Sequence, residues 1–128
     1  MALTNKDIVT SSYHEELLKN GGPETYDKCA PEYDAHFAGI SHGPEFVFKV
    51  WMSHYEKRSG SVKPHRVFDA GCGTGFVGEH FADLVKQGIV ELYGGDLSSR
   101  MLELAKKKNI YADLQIVNLQ KPLSYEAE

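Results

Sequence analysis

The sequence predicts an α/β protein: a doubly wound parallel sheet of about three strands preceded by a helical N-terminal cover. Three observations predict it. Residues 66–119 alternate β-rich runs with helical periods, and strand–helix–strand–helix–strand order calls for parallel strands joined by right-handed crossovers. A glycine-rich loop, Gly71-Cys72-Gly73-Thr74-Gly75, directly follows the first of those runs, at the strand end where open α/β sheets hold ligands. Residues 1–62 carry helical spacing instead. They form the cover, and residues 63–128 form a ligand-binding half-domain of the same structural unit.

The elements follow in order. Val9, Tyr13 and Leu17 recur every four residues before Asn20-Gly21-Gly22-Pro23, which predicts a helix over 6–19. The stretch from Tyr26 to Phe37 reads as two helical turns articulated at Pro31, because proline suits a first helical position and disturbs an interior one. Pro44 opens a third helix that Lys57-Arg58-Ser59-Gly60 closes, with Phe46/Val47, Val50/Trp51 and His54/Tyr55 as its inward stripe. The run 66–70 is the first strand. Residues 76–87 then form a helix with Val77, Phe81, Leu84 and Val85 inward and Gly88 as its C-cap. A second strand runs over 89–96. Ser98 caps a helix over 99–108 whose Met101, Leu102 and Ala105 face inward, and 113–119 is the third strand.

Bulk properties exclude several function classes. With 128 residues, 41% of them hydrophobic and 25% charged, the chain can bury one core. Its net charge of −4 and its single basic run, Lys106-Lys107-Lys108, argue against specific nucleic-acid binding. No apolar stretch reaches the roughly 18 residues of a membrane span and no signal-peptide core stands near Asn5-Lys6-Asp7, so a cytoplasmic protein is expected. Cys29 and Cys72 form no CxxC pair, and the histidines are scattered. Neither a disulfide nor a metal site is predicted.

The loop's chemistry narrows the ligand. Gly71, Gly73 and Gly75 allow a tight turn and close approach of a ligand to the backbone, while the following helix N-terminus favours an anionic group. Gly73-Thr74-Gly75-Phe76-Val77-Gly78 spells GxGxxG, and Asp96 stands where a ribose-binding acid would. Asp69 opposes a dinucleotide: two like charges about 5 Å apart repel by roughly 3 kcal/mol at an effective dielectric near 20. A P-loop is excluded because no Gly-Lys-Ser/Thr follows. S-adenosyl-L-methionine, with a sulfonium, an ammonium and a carboxylate, suits the loop better. Asp69 attracts its ammonium side, directly or through water, and Asp96 accepts from its ribose hydroxyls.

"VFDAGCGTG" resembles motif I of the class I S-adenosylmethionine-dependent methyltransferases, and "ELYGGDLSSRMLELAKKK" resembles the segment that follows it. "YDKCAPEYDAHF" resembles an N-terminal segment found in a subset of them, closest to the Williams-Beuren syndrome region methyltransferase-like proteins. The resemblance implies a Rossmann-like fold in which Asp69, Gly71, Gly73 and Gly75, with Cys72 and Thr74 between the glycines, hold the methionine portion. It assigns the ribose to Asp96, the adenine face to Leu97 and the closing of the site to Tyr26 and Tyr33. Where many members carry an acid that accepts from the adenine amino group, this sequence has Asn118, whose side-chain oxygen can also accept.

The implied acceptor is a small molecule or a protein, and no catalytic base is named. Tyr33 and His36 stand in the cover, where packing is the simpler reading. Asp27 and Asp34 read as surface or capping acids, Trp51 as core, and Cys72 as a small loop residue rather than a nucleophile. The family sheet has seven strands, with the first between the second and the fourth. A chain with three is expected to be a fragment or truncated form that leaves the Val67-Phe68 strand as an open edge capable of self-association. A non-catalytic, cofactor- or partner-binding form and an NAD-dependent oxidoreductase are the competing readings.

Overall fold

The computed structural model describes residues 19, 22–37, 42–57 and 64–123, with the His36 side chain excepted. The helix expected over 6–19 lies outside the described residues but for Lys19. Helix α1 spans Pro23–Phe37, α2 Gly43–Lys57, strand β1 His65–Ala70, α3 Phe76–Lys86, β2 Val90–Asp96, α4 Ser99–Lys107 and β3 Asp113–Ile116. The strands form one parallel sheet in the order β1-β2-β3. Among the described strands β1 is therefore an edge.

Alternation along β2 explains the core. Val90 and Leu92 point to the helical side and are buried, while Glu91 and Tyr93 face the other way and are only half-buried. Phe81 of α3 seats on that pair at 1% exposure. Phe48 and Trp51 of α2 meet its ring edge-on at centroid distances of 5.0 and 5.1 Å. Helix α1 packs on α4 and helix α2 on α3.

Three sequence expectations need correction. Helix α1 runs unbroken through Pro31; although proline removes a helical hydrogen bond, side chains on both sides of it, Asp27 and Asp34, are tied to the rest of the molecule. The inward face of α2 is Phe48, Trp51 and Tyr55, while Phe46, Val47 and Val50 are 69%, 50% and 42% exposed. Contact with Phe81 and His65 chose that face, since an apolar run permits more than one helical stripe. Strand β3 ends at Ile116 rather than residue 119, because the chain turns at Asn118, whose backbone carbonyl accepts from the Lys121 amide at 3.0 Å.

Candidate functional site

Parallel register brings the carboxyl ends of β1 and β2 together, with Asp69 level with Gly94 and Ala70 with Gly95. Asp96 therefore emerges one residue beyond the end of β1, beside the glycine loop. One Asp96 carboxylate oxygen accepts from the Gly73 amide and the other from the Ser98 amide, both at 2.9 Å. Three of the loop's other amides are also occupied. Those of Gly71 and Cys72 donate to the Gly95 carbonyl at 2.8 and 3.0 Å, and that of Gly75 to the Cys72 carbonyl at 2.9 Å.

A cavity of about 480 Å³ opens at this edge. Of the residues predicted for the site, Tyr26, Tyr33, Gly71, Gly73, Asp96, Leu97 and Asn118 line it, and among the described residues its only charged lining residue is Asp96. Asp69, Cys72, Thr74 and Gly75 are not among the lining residues. Sequence reasoning did not single out Met101, Val117, Leu119 or Gln120 as lining residues. Met101 comes from the first turn of α4, whereas the place of Val117, Leu119 and Gln120 depends on the turn after β3, for which the Asn-Leu-Gln-Lys-Pro composition was the available signal.

The glycines divide into two sets by what a methyl group would meet. At Gly71 and Gly73, with φ of +70° and +54°, no atom of the described residues stands within 4 Å of a Cβ. Those positions keep a ligand-sized hollow bare. At Gly75 and Gly78 the neighbour is the Tyr111 side chain, 3.2 and 2.5 Å from the Cβ, and at Gly94 Leu114 and the Tyr111 ring stand 2.7 and 2.9 Å away. Gly75, expected to face the ligand, thus makes room for a tyrosine that sequence reasoning missed. Tyr111 donates its hydroxyl proton to Asp69 at 2.7 Å. The third glycine of the GxGxxG string serves this packing.

Burial sets the protonation chemistry. Asp69 is held above the ordinary carboxylate range by desolvation, against which the Tyr111 hydroxyl pulls downward and the Asp96 charge adds to the rise. Burial, with the nearby Asp69 and Asp96 charges, pushes the Cys72 thiol up to about 12, so it is neutral near pH 7. Tyr33 is raised by burial first and then by Tyr26, Asp96 and Asp34. It is an O–H donor near neutrality rather than a phenolate base.

A raised carboxylate costs stability when ionised: the stability it confers is complete below the unfolded value near 3.8 and is lost as pH rises through its folded value. Asp69→Asn keeps an acceptor for Tyr111 and removes the buried charge. The variant is expected to be at least as stable as the parent at pH 7, with an advantage that shrinks as pH falls toward 4. Urea midpoints at the two pH values check this, and a variant clearly weaker at pH 7 contradicts it.

The acids of α1 stand seven residues apart, two turns along one face. Asp27 accepts from the Ser98 hydroxyl at 2.6 Å and the Arg100 amide at 3.2 Å, which hold its carboxyl below the usual range. Ser98 in turn caps α4 by accepting from the Met101 amide at 3.2 Å. Asp34 accepts from the Thr74 hydroxyl and pairs with Lys108 at 2.9 Å, and Lys108 also reaches Glu79 at 2.8 Å. Asp27 is thus a capping acid for another helix. At Asn118 the side-chain oxygen already accepts from the Gln120 amide at 2.9 Å, which leaves it one further lone pair.

Comparison with known proteins agrees with this geometry. Residues 67–125 match the model of a family described as a methyltransferase domain. Methyltransferase-like protein 27 of Homo sapiens is 31% identical over 99 residues, spanning 77% of this chain and 38% of that protein. Trans-aconitate 2-methyltransferase of Pseudomonas paraeruginosa (strain DSM 24068 / PA7) is 44% identical over 57 residues, 44% of this chain and 20% of the relative. The crystal structure of the plantazolicin methyltransferase BpumL with a pentazolic desmethylPZN analog and SAH superposes with a TM-score of 0.59. It is 21% identical, over 87% of this chain and 40% of that one, and so attests the fold. The chain spans less than half the length of each of these proteins. Over residues 67–125 the sequence thus matches a methyltransferase-domain family, set in a Rossmann-like α/β fold shared with a solved methyltransferase.

Proposed function

We propose that the cavity binds S-adenosyl-L-methionine and that the chain supplies the methyl-donor half of a methyltransferase acting on a small-molecule or protein acceptor. One observation carries this reading over a dinucleotide: the amides of Gly71, Cys72, Gly73 and Gly75 all have acceptors inside the protein. A pyrophosphate needs such donors free, and among the described residues the cavity offers no lysine or arginine in their place. The residues present fit the proposed cofactor, because the Cβ-free wall at Gly71 and Gly73 is open and the nearby charge is negative.

When bound, the cofactor supplies an electrophilic methyl group for in-line transfer. The chain's residues bind and orient it. In this reading Gly71 and Gly73 receive the methionine portion, Asp96 accepts from the ribose hydroxyls with its remaining lone pairs, and Leu97 and Asn118 meet the base. Tyr26 and Tyr33 exclude water from above. Asp69 acts from behind the loop through its charge, while Cys72, Thr74 and Gly75 shape the turn. No described helix is long and apolar enough to cross a membrane. Cys29 and Cys72 are buried thiols that form no disulfide, which favours a reducing, cytoplasmic setting.

Isothermal titration tests the reading. The 128-residue chain is expected to release heat with S-adenosylhomocysteine and none with NAD; the reverse result rejects the proposal. Label from a tritiated methyl donor appearing in an acceptor then separates an enzyme from a non-catalytic binder.

A further inference from the structure

The hydrogen bonds at the cavity floor close on themselves. Asp27 takes the Ser98 hydroxyl proton, the Ser98 amide donates to Asp96, and the other Asp96 oxygen takes the Gly73 amide. The next residue, Thr74, donates to Asp34, and two turns of α1 lead back to Asp27. The non-local links span 71, 23 and 40 positions of sequence. Thr74 and Ser98, at two corners, are 1% and 0% exposed.

We propose that Asp27 and Asp34 are positioning residues for the ligand cavity, acting as the two ends of a clamp that closes this ring and holds the Asp96 carboxylate, the bare Gly73 wall and the paired tyrosines in one arrangement. The proposal rests on the cavity being the cofactor site. The acids do not line the cavity, whereas the residue before each, Tyr26 and Tyr33, does. Each Tyr-Asp pair thus divides its work: the acid grips a loop and the tyrosine, about 100° further round the helix, covers the ligand. Backbone donors flank Asp96 on both sides, so its direction follows the spacing of the two loops, which α1 sets from above. Because the ring is closed, cutting one link releases the constraint on the others. Two independent anchors would behave differently.

The test uses Asp27→Ala, Asp34→Ala and the double variant of the 128-residue chain, with two readouts. In ligand-free protein, amide hydrogen exchange at Gly73 is expected to speed up about tenfold in Asp27→Ala, although Asp27 does not touch Gly73. Unchanged exchange there overturns the ring. In titrations with S-adenosylhomocysteine each single variant is expected to bind about tenfold more weakly, and the double variant only slightly weaker than either. An additive, roughly hundredfold loss overturns it in favour of separate anchors.

Asp27→Asn, which keeps an oxygen for Ser98, is expected to bind within about threefold of the parent; a loss equal to that of alanine counts against the clamp. Phe81→Leu, a core change away from the cavity, controls for stability. If it lowers the melting temperature as much as Asp27→Ala and weakens the ligand equally, the acids act only through folding. A parent chain that binds no S-adenosylhomocysteine removes the cofactor reading, and the exchange measurement then decides the ring separately.

Discussion

Replacing Asp96 by alanine is expected to weaken S-adenosylhomocysteine binding by a hundredfold or more, the largest ligand effect of any single change at the site. Two losses combine. The ribose hydroxyls lose a charged acceptor, worth roughly 1.5–3 kcal/mol, and the Gly73 and Ser98 amides lose theirs, at roughly 1–3 kcal/mol for each donor left unsatisfied. Asp96→Asn is expected to rescue little. An amide offers one acceptor oxygen and turns an NH₂ toward the second backbone donor, so one of the two loops is repelled. This contrasts with Asp27, where both bonds fall on a single oxygen. Calorimetric titration of both variants, with thermal melts to report folding, checks the expectation. An affinity within threefold of the parent for Asp96→Ala removes this residue from the site.

Gly78→Ala is expected to destabilise the fold by about 2 kcal/mol, within the range for overpacking a core. Intrinsic preference points the other way, since alanine in a helix interior is favoured over glycine by about 1 kcal/mol. Local geometry decides the sign. The added carbon would lie 2.5, 2.7 and 2.8 Å from the hydroxyl, Cζ and Cε2 atoms of Tyr111, and the ring cannot withdraw without giving up its bond to Asp69. Placed in a Tyr111→Leu background, which lacks those three atoms, the same alanine is expected to be neutral or slightly stabilising. Urea unfolding of the four proteins gives the cycle. Equal effects of alanine in both backgrounds would show that the ring is not what Gly78 accommodates.

The amino-acid pattern carried the fold class and the sheet edge at which the cavity opens, because both rest on short-range regularities. Period-2 and period-3.6 spacing marks strands and helices, and a glycine loop after a strand marks the binding edge. Ser98 was readable as a cap because capping is settled within three residues, as its bond to the Met101 amide shows. Asp96 was legible from its position at the end of a strand. The repeated Tyr-Asp pair at a spacing of seven was a usable signal for a shared helix face. Its partners were hidden, because nothing local to α1 says what that face will meet.

What the pattern left open were choices between equivalent local solutions. Gly71, Gly73 and Gly75 all have positive φ, which a strand-to-helix turn requires of each. Whether such a glycine faces a hollow or the Tyr111 ring depends on a side chain brought back by the second crossover. Helix α2 could bury either of two apolar stripes, and Phe81 and His65 selected one. Pro31 is locally unfavourable to a helix, yet α1 persists where acids four residues before it and three after are held by Ser98 and Thr74. Secondary structure and the binding edge follow from residues near in sequence. The assignment of Asp69 to Tyr111, the division of the glycines and the closed ring through Asp96 needed contacts spanning 23 to 71 positions, which exist only once the chain has packed.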